Sequence, residues 1–524
     1  MAKSRFELSS VPVLFFLPLW VLQTTVRAAA IPPQNPILQK PICPDYASYS
    51  QSRHESGFSI GRYQLPFQRP SKECRTYFSQ EVEDAIERLQ SKIQDPDLFR
   101  LFENAFPNTL DTAVKWKGFA WSNETTGEGI GEETDEDLAF VITGDINAMW
   151  LRDSANQVLS YLPVLKPSSD PLSLAALFRG VINAHSRYIK YTPYCHAYPP
   201  PPESGLPVQP NGAYHRNKVH MFGKQGYDTQ KTFDCKWELD SLASFLQISS
   251  EYYNATGDIG PFEKYRWVDT VEVILNAAQA MRTATYTDDG HIAPSGYTMT
   301  GQTDRATETT SNNGLGNPVI WTGMVRSTFR PSDDATIFQF FIPGNMMFAR
   351  YLEAAAGIME VLNTARSIDL AIRMRTMATE IRAGIERYGV VSHVSFGAIY
   401  AFEVDGYGSQ NLMDDANLPS LLSAPLMGYV GPHDEVYQNT RYFALSKANP
   451  YWSFGEVYNS IGGPHNGPTK GWPLAGIVRI LTSTDTSGEE TSDGLKEILG
   501  STDGLGLIHE SINSWDSKDW SRQW

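Results

Sequence analysis

The chain has 524 residues, of which 41% are hydrophobic and 12% aromatic, so it can bury one very large core or two ordinary ones and is not a disordered protein by default. Its formal charge is −16, from 43 basic and 59 acidic residues. That charge repels nucleic acid and anionic membrane surfaces, but it is compatible with a neutral ligand such as a carbohydrate.

The first thirty residues have the three parts of a secretory signal. Lys3 and Arg5 precede an apolar stretch over residues 11–22, and three alanines end the segment at Ala30. The apolar stretch is shorter than the roughly 20 residues that span a bilayer, which favours a cleaved signal over an uncleaved anchor. We therefore expect residues 1–30 to be a signal peptide and the protein to be secreted or in the secretory pathway, without stable membrane association.

Two glycosylation sequons and four cysteines are compatible with this compartment. The sequons begin at Asn123 and Asn254, each in a polar setting that suits a surface loop. Three pairings of the cysteines are possible, and proximity along the chain favours Cys43 with Cys74 and Cys195 with Cys235. The sequence has no CxxC or HExxH spacing, so a zinc site built on those motifs has no support.

The remaining chain is predicted to be mainly helical. Residues 31–74 are rich in Pro, Ser and Tyr and lack periodicity, which predicts an irregular arm on the domain surface, followed by one domain over residues 75–524. A first helix is predicted after the capping residue Ser79. Later helices are predicted at about 97–106, 146–162, 173–190, 236–252, 263–283, 333–360, 362–387, 417–429, 434–447, 471–483 and 494–500. A short hairpin is predicted around 390–404, where β-branched and aromatic residues alternate.

Polar residues are densest over residues 143–154, which makes this stretch a candidate site. Asp145 can cap a helix, which would place Trp150, Arg152 and Asp153 in its first two turns, where side chains reach a cavity mouth. An indole face beside charged hydrogen-bonding groups suits a sugar, which is apolar on its C–H faces and polar around its rim. The alternative is an internal pair of Arg152 with Asp153 beside a core tryptophan.

This stretch resembles the signature segment of glycoside hydrolase family 125, the exo-acting, metal-independent α-1,6-mannosidases, and in particular a fungal secreted group often described as meiotically up-regulated proteins. Similar runs follow in the family's order: Glu-Leu-Asp-Ser-Leu at 238–242, Phe-Arg-Pro-Ser-Asp-Asp at 329–334, Ile-Gly-Gly-Pro-His at 461–465 and His-Glu-Ser at 509–511. The resemblance implies an all-α fold, the (α/α)6 barrel of six helical hairpins with long active-site loops and minor β structure. It also implies no cofactor, no metal, and a mannose-containing oligosaccharide, N-glycan or mannan as substrate.

The resemblance further implies inverting hydrolysis, with Asp240 as general acid and Glu510 as general base. From the residues alone, Glu238 and Asp240 lie two positions apart at a helix start, so only one is expected to point into a given cavity. An acid that is neutral at working pH needs a raised pKa, which burial beside Trp237 would supply for Asp240. Glu510 follows glycines, which favours an exposed loop that reaches into the site.

The sugar contacts implied by the family runs are Trp150, Arg152, Asp153, Arg330, Asp333, Asp334, Asn345 and His465. In the run at 329–334, Ser332 can cap the next helix with Asp333 and Asp334 in its first turn. Pro343 can break that helix and turn Asn345 toward the cavity. Acid and amide clusters at 403–417 resemble oxygen ligands for Ca²⁺, but they lack the EF-hand spacing.

Members of the family continue past the last motif with another aromatic-rich helical segment, whereas this sequence ends at Trp524, so we expect a shortened C-terminus. Two other functions are compatible with the residues. One is an inverting α-glucosidase-like hydrolase of the same fold, and the other is a secreted mannan-binding protein that has lost catalysis.

Overall fold

Helices make up most of the regular structure in the computed structural model, which describes residues 42–55, 57–122 and 132–523. The helices are α1 (Tyr46–Tyr49), α2 (Gln80–Gln90), α3 (Pro96–Ala105), α4 (Leu151–Leu159), α5 (Leu174–Tyr191), α6 (Leu239–Thr256), α7 (Gly260–Lys264), α8 (Trp267–Ala280), α9 (Ile342–Leu362), α10 (Ala365–Gly384), α11 (Glu435–Ala444), α12 (Pro473–Leu481) and α13 (Glu489–Gly500). Residues 43–524 form one compact unit.

Short antiparallel strands connect the helices. They are β1 (Val114–Trp121), β2 (Glu133–Val141), β3 (Met149–Trp150), β4 (Ala197–Tyr198), β5 (Asn217–Met221), β6 (Lys224–Gln225), β7 (Tyr297–Gly301), β8 (Phe340–Phe341), β9 (Val390–His393), β10 (Gly397–Tyr400), β11 (Glu403–Val404), β12 (Gln410–Asn411), β13 (Trp452–Ser453), β14 (Ser460–Ile461), β15 (Lys470–Gly471), β16 (His509–Asn513) and β17 (Asp516–Gln523). The sheets contain two or three strands each, in the orders β1-β2, β3-β4, β6-β5-β7, β12-β11-β8, β10-β9, β13-β14 and β15-β16-β17.

Helix α6 lies at the centre of the packing, because it contacts α4, α5 and α9, and α9 in turn contacts α10. Its apolar residues, such as Leu242 and Phe245, are fully buried or nearly so. Three buried serines satisfy their hydroxyls by donating to carbonyls one turn earlier, at 2.8 Å each: Ser244, Ser249 and Ser250. Helix α6 is therefore buried in the interior, and the candidate site lies at its N-terminal end.

The arm, described over residues 42–55 and 57–74, contains the short helix α1 and is more than a surface covering. Its Leu65 and Gln68 are fully buried. The Gln68 amide donates to the carbonyl of Leu505 at 2.9 Å, and the Asn104 amide donates to the carbonyl of Gly506 at 2.9 Å. The arm and helix α3 therefore help to hold the segment that leads into β16.

Several sequence predictions are confirmed and others are wrong. Both disulfides, Cys43–Cys74 and Cys195–Cys235, are present, and the hairpin predicted at 390–404 is β9–β10. The helix predicted at 417–429 does not form, because the Asp414 carboxylate accepts the amides of Leu421 and Leu422 and holds this segment in turns. The long hairpins β1–β2 and β16–β17 were not predicted.

Asn254 is exposed, but it lies in the last turn of α6 and not in a loop. Asn123 and residues 1–30 lie outside the described residues. Among the residues that are described, no helix is both long and apolar enough to cross a membrane.

Candidate active site

A cavity of about 540 Å³ lies at the start of helices α4 and α6, and this volume lies within the range of small-ligand sites. Its lining includes the predicted site residues Arg152, Asp153, Asp333, His465 and Glu510. We call it the active cavity. It also has an apolar wall that includes Trp472, and its outer part is lined by Asp45 and Tyr46 of the arm.

Helix α4 places Arg152 and Asp153 at the cavity. The helix begins at Leu151 and not at residue 146, because Asp145 does not cap it and instead lies 3.3 Å from the guanidinium of Arg522. Trp150 pairs with Ala197 in the β3–β4 ladder and is 7% exposed. Its ring packs edge-on against His196, with the two ring centroids 5.8 Å apart, and its contact with a sugar stays a prediction.

Arg152 joins the two carboxylates at the start of α6. Its Nη1 donates to Glu238 Oε2 at 2.7 Å and to Asp240 Oδ2 at 2.9 Å, and its Nη2 lies 3.3 Å from Asp153 Oδ2. Both carboxylates therefore meet the same guanidinium nitrogen, although neither lines the active cavity. Glu238 is the N-cap residue of α6 and has an extended backbone, so it lies outside the first helical turn. The angular spacing of side chains around a helix therefore does not apply to Glu238 and Asp240.

Burial makes these acids difficult to ionise. Both Glu238 and Asp240 are buried with no more than 2% exposure, and neither is part of the cavity lining, so they reach the cavity through Arg152. Burial raises the pKa of Glu238 to about 8, although Arg152 and His196 oppose the change. Burial also raises the pKa of Asp240 and of Asp153, again against the attraction of Arg152. The site therefore holds three carboxyl groups whose pKa values are raised above their ordinary range.

Asp333 lies on a tight loop and not in the first turn of a helix. The amide of Arg330 donates to the carbonyl of Asp334 at 2.8 Å, which closes the loop, and α9 begins only at Ile342. Asp333 has a φ of 66°, in the left-handed region that is uncommon for residues other than glycine. Burial alone would raise its pKa, but the neighbouring Lys236, His196 and Arg152 hold the pKa of Asp333 well below its usual range.

His196 links Asp333 to Glu238. The amide of Lys236 donates to His196 Nδ1 at 3.0 Å, so the ring carries its proton on Nε2. That nitrogen lies 3.1 Å from Asp333 Oδ1 and 3.9 Å from Glu238 Oε1. These three residues also place one potential metal-ligand atom each within 4.8 Å of one another. The protonated Nε2 has no lone pair for a metal, and the nearby cations Arg152 and Lys236 already balance the acids, so this geometry does not suit a divalent ion.

A second charged group surrounds Arg330, which is 3% exposed. Its Nε donates to Glu403 Oε1 at 2.6 Å, and Asp334 lies 3.6 Å from the ring of His465 through its Oδ2. The neighbouring Asp334 carboxylate outweighs burial and raises the pKa of the His465 ring. Arg330, Asp334 and His465 therefore belong to one charged group, in which Asp334 neighbours both cations, and their contacts with a sugar stay a prediction.

Asn345 does not face the cavity. Its Oδ1 accepts the amide of Val325 at 2.8 Å, and its Nδ2 donates to the carbonyls of Val325 and Phe341, both at 2.9 Å. Pro343 sits in the first turn of α9, where proline is tolerated, so it does not break the helix. The predicted substrate contact of Asn345 is replaced by a structural role.

Glu510 lies in strand β16 and not in an exposed loop. Its Oε2 accepts the hydroxyl of Ser521 at 2.9 Å, and its Oε1 lies 3.3 Å from Arg522 Nη1. Both partners come from β17, whose pairing with β16 fixes the side chain on the cavity wall. Glu510 and Asp153 thus line one cavity although they lie in distant parts of the chain.

Residues 95–524 match the sequence model of the metal-independent α-mannosidases, glycoside hydrolase family 125. The chain belongs to this family. It is 41% identical over 485 residues to the Meiotically up-regulated gene 157 protein of Schizosaccharomyces pombe, covering 92% of this chain and 89% of that protein. Its structure is similar, with a TM-score of 0.73 and 30% identity, to a metal-independent α-mannosidase of Streptococcus pneumoniae in a non-productive substrate complex with α-1,6-mannobiose. That similarity covers 85% of this chain and 95% of the other.

Membership in the family confirms the resemblance drawn from the sequence and shows that the protein is a glycoside hydrolase, an α-mannosidase. It also favours mannose over glucose in the first subsite. The site residues predicted from the sequence did not include His196, Lys236, Glu403 or Asp415. Of these, only Glu403 and Asp415 had a signal, since both fall in the acidic clusters at 403–417.

Proposed function

We propose that this α-mannosidase removes single mannose units from the non-reducing ends of α-1,6-linked mannosides, with inversion at the anomeric carbon. The main support is the arrangement of the acids. Glu238 and Asp240, both buried and both with a raised pKa, accept hydrogen bonds from Arg152, and Arg152 and Glu510 line the same cavity. An inverting glycosidase needs these two kinds of carboxyl group, one to protonate the leaving oxygen and one to activate water.

In the proposed reaction Asp240 is the general acid. It must donate its proton to the glycosidic oxygen as the bond to the anomeric carbon breaks. Burial raises the pKa of Asp240 and so favours its protonated form, while Arg152 orients the carboxyl through Oδ2 and leaves Oδ1 without a hydrogen bond among the described residues. Asp240 does not line the cavity, so substrate must approach it where Arg152 now contacts Asp153.

Glu510 is the proposed general base, which removes a proton from water as the water attacks the sugar from the other face. Ser521 and Arg522 fix its orientation. Inversion places the two carboxyl groups roughly 6.5–9.5 Å apart so that water fits between Glu510 and the sugar. Arg152, Asp153, Asp333, Asp334, Arg330 and His465 are the proposed contacts to the mannose hydroxyls.

Unsatisfied buried polar atoms support the sugar-binding assignment. Within the described part of the chain, Glu238 Oε1, Asp240 Oδ1, Arg330 Nη2 and Asp415 Oδ2 are buried and form no hydrogen bond. Buried polar groups in native proteins normally have partners, and the hydroxyls of a sugar can supply them. The linkage is supported by the pneumococcal relative of 30% identity, whose complex contains α-1,6-mannobiose.

The decisive experiment is hydrolysis of α-1,6-mannobiose followed by NMR. β-Mannose should appear first and then mutarotate. Glu510→Gln should slow mannobiose and activated aryl mannosides alike, because water must be activated for both. Initial release of α-mannose would contradict inversion, and binding of mannobiose without release of mannose would support a mannan-binding protein that has lost catalysis.

Two further properties belong to this proposal. The neighbouring helices α4, α6, α9 and α10, with the site at their connecting segments, are compatible with an (α/α)6 toroid. The signal-like residues 1–30 and the two disulfides are compatible with secretion. Mass spectrometry of the secreted protein should find a new N-terminus near Ala30 and glycans on Asn123 and Asn254.

A further inference from the structure

A second cavity, of about 530 Å³, is lined by aromatic rings. Four of its residues are Tyr451, Trp452, Phe454 and Trp515, and the others are three prolines, a glycine, a serine and a threonine. None of these side chains carries a charge at neutral pH. We call this cavity the aromatic cleft. Its composition suits a neutral ligand that has both apolar faces and hydroxyl groups, and it does not suit an anion.

Two rings of the aromatic cleft are left largely in water. Trp515 is 60% exposed and Phe454 is 42% exposed. The ammonium of Lys447 lies 4.3 Å from the centroid of the Phe454 ring, so a hydrogen-bond donor stands beside an apolar surface. Clustered exposed aromatic residues of this kind mark binding sites more often than isolated surface residues do.

Backbone hydrogen bonds hold the walls of the cleft together. The amide of Gly462 donates to the carbonyl of Tyr451 at 2.8 Å, and the amide of Ser514 donates to the carbonyl of Thr469 at 2.9 Å. The carbonyl of Ser514 accepts the amide of Val457 at 2.9 Å. The strand pair β13–β14, the loop before β15 and the β16–β17 turn are thus fixed relative to one another. Rings held in this way lose little entropy when a ligand binds.

The cleft adjoins the active cavity. Pro464 lines the cleft and the next residue, His465, lines the active cavity. The side-chain amide of Asn466 donates through Nδ2 to the Ser521 hydroxyl at 3.3 Å, and that hydroxyl donates to Glu510 Oε2 at 2.9 Å. Only two hydrogen bonds therefore separate the loop that forms the cleft from the proposed base.

We propose that the aromatic cleft is a second glycan-binding subsite, which holds mannose units of an α-mannan or oligomannoside outside the active cavity. Pyranose C–H faces would stack on Trp515 and Phe454, and the sugar hydroxyls would reach the polar groups at the edge. The identity of the sugar rests on the proposed function, whereas the presence of a neutral glycan site rests on the cleft itself. No covalent step takes place there.

The test is affinity electrophoresis of the full chain in native gels that contain soluble α-1,6-linked mannan. Trp515→Ala should weaken retardation by mannan about two- to tenfold, the change that corresponds to losing roughly 0.5–1.5 kcal/mol of aromatic contact. Trp321→Ala is the matched control, since Trp321 is 58% exposed and lines neither cavity. Phe454→Ala gives an independent second variant.

A kinetic measurement complements the gel. Trp515→Ala should raise KM for long mannan chains by a similar factor while kcat and KM for α-1,6-mannobiose stay within about twofold, because the proposal places both units of the disaccharide in the active cavity and only the further units of longer chains in the cleft. An equal loss on mannobiose would overturn the inference by assigning Trp515 to the active cavity.

Retardation that is the same for the wild type, Trp515→Ala and Phe454→Ala would also overturn it. So would loss of binding to an apolar dye or peptide in these variants without any change in mannan retardation, since that result would make the cleft a protein-docking surface. A wild-type protein that releases no mannose, yet is retarded by mannan through Trp515, would refute the proposed function and leave the subsite in place.

Discussion

Replacing Asp240 by asparagine tests which buried carboxyl group donates the proton. Asparagine keeps the shape of the side chain and an oxygen that can accept the Arg152 bond of 2.9 Å, so binding of the sugar should change little. It removes the proton that the leaving oxygen must receive. Substrates with poor leaving groups, such as mannobiose, should therefore suffer far more than activated aryl mannosides.

The expected magnitude follows from this single loss. General acid catalysis contributes about 10²–10⁴ in rate, or roughly 2.7–5.4 kcal/mol, so kcat/KM for mannobiose should fall by that factor. For an aryl mannoside whose departure needs little protonation, the fall should stay within about tenfold. The ratio of the two effects is the quantity to measure, because a general loss of folded protein lowers both rates equally.

Glu238→Gln is the matched control, since Glu238 accepts from the same Arg152 Nη1 at 2.7 Å. With a pKa of about 8, Glu238 is mostly protonated at pH 6–7, and glutamine resembles that neutral form. The Glu238→Gln variant should keep most of the wild-type activity on mannobiose at pH 6. If Glu238→Gln shows the leaving-group dependence and Asp240→Asn does not, the roles of the two residues are reversed.

Three further outcomes are expected. Arg152→Met should lower the free energy of unfolding in urea by about 3–5 kcal/mol at pH 8, because Glu238 and Asp240 lose their buried partner. The folded-state pKa of both carboxyls is raised, that of Glu238 to about 8, so the deficit should shrink as pH falls through this raised range and the carboxyls take up protons, and a deficit that grows in acid would contradict this account. Replacing Cys43 and Cys74 by serine should cost about 2–4 kcal/mol in the same urea assay, since the bridge closes a 31-residue separation, and an unchanged transition would show that the arm does not depend on the bridge. Hydrolysis of mannobiose should survive EDTA, whereas complete loss that Ca²⁺ or Zn²⁺ restores would refute a metal-free mechanism.

The sequence by itself determined the helices with strong apolar periodicity. The predicted spans 173–190 and 97–106 agree with α5 and α3 within about a residue at each end. Their limits are set by local signals, a serine cap at Ser173 and an aspartate cap before Pro96, which act within one helical turn. The disulfide pairs also followed from short separations along the chain.

Helix starts that depend on distant residues were mispredicted. Asp145 has the composition of a cap, but it lies beside Arg522 at the other end of the chain, and α4 starts six residues later. Ser332 and the two aspartates after it also look like a helix start, yet the distant Lys236 donates to the carbonyl of Asp333 at 3.0 Å and the carbonyl of Thr307 accepts the amide of Ala335 at 2.6 Å, which hold them in a loop. A capping side chain is worth only about 1 kcal/mol, so a tertiary contact readily overrides it.

The site residues also divide into those that the sequence identified and those that only the tertiary structure placed. Family-like runs in the sequence identified Arg152, Asp333 and Glu510, because a run of specific residue types is a local property. Only the tertiary structure brought Glu238 and Asp240 to one nitrogen of Arg152, and only it turned Asn345 inward to the backbone of Val325. The physical reason is that burial and long-range electrostatic interactions decide which side chains face one another and which of them keep a proton, and neither quantity is defined until the chain has folded.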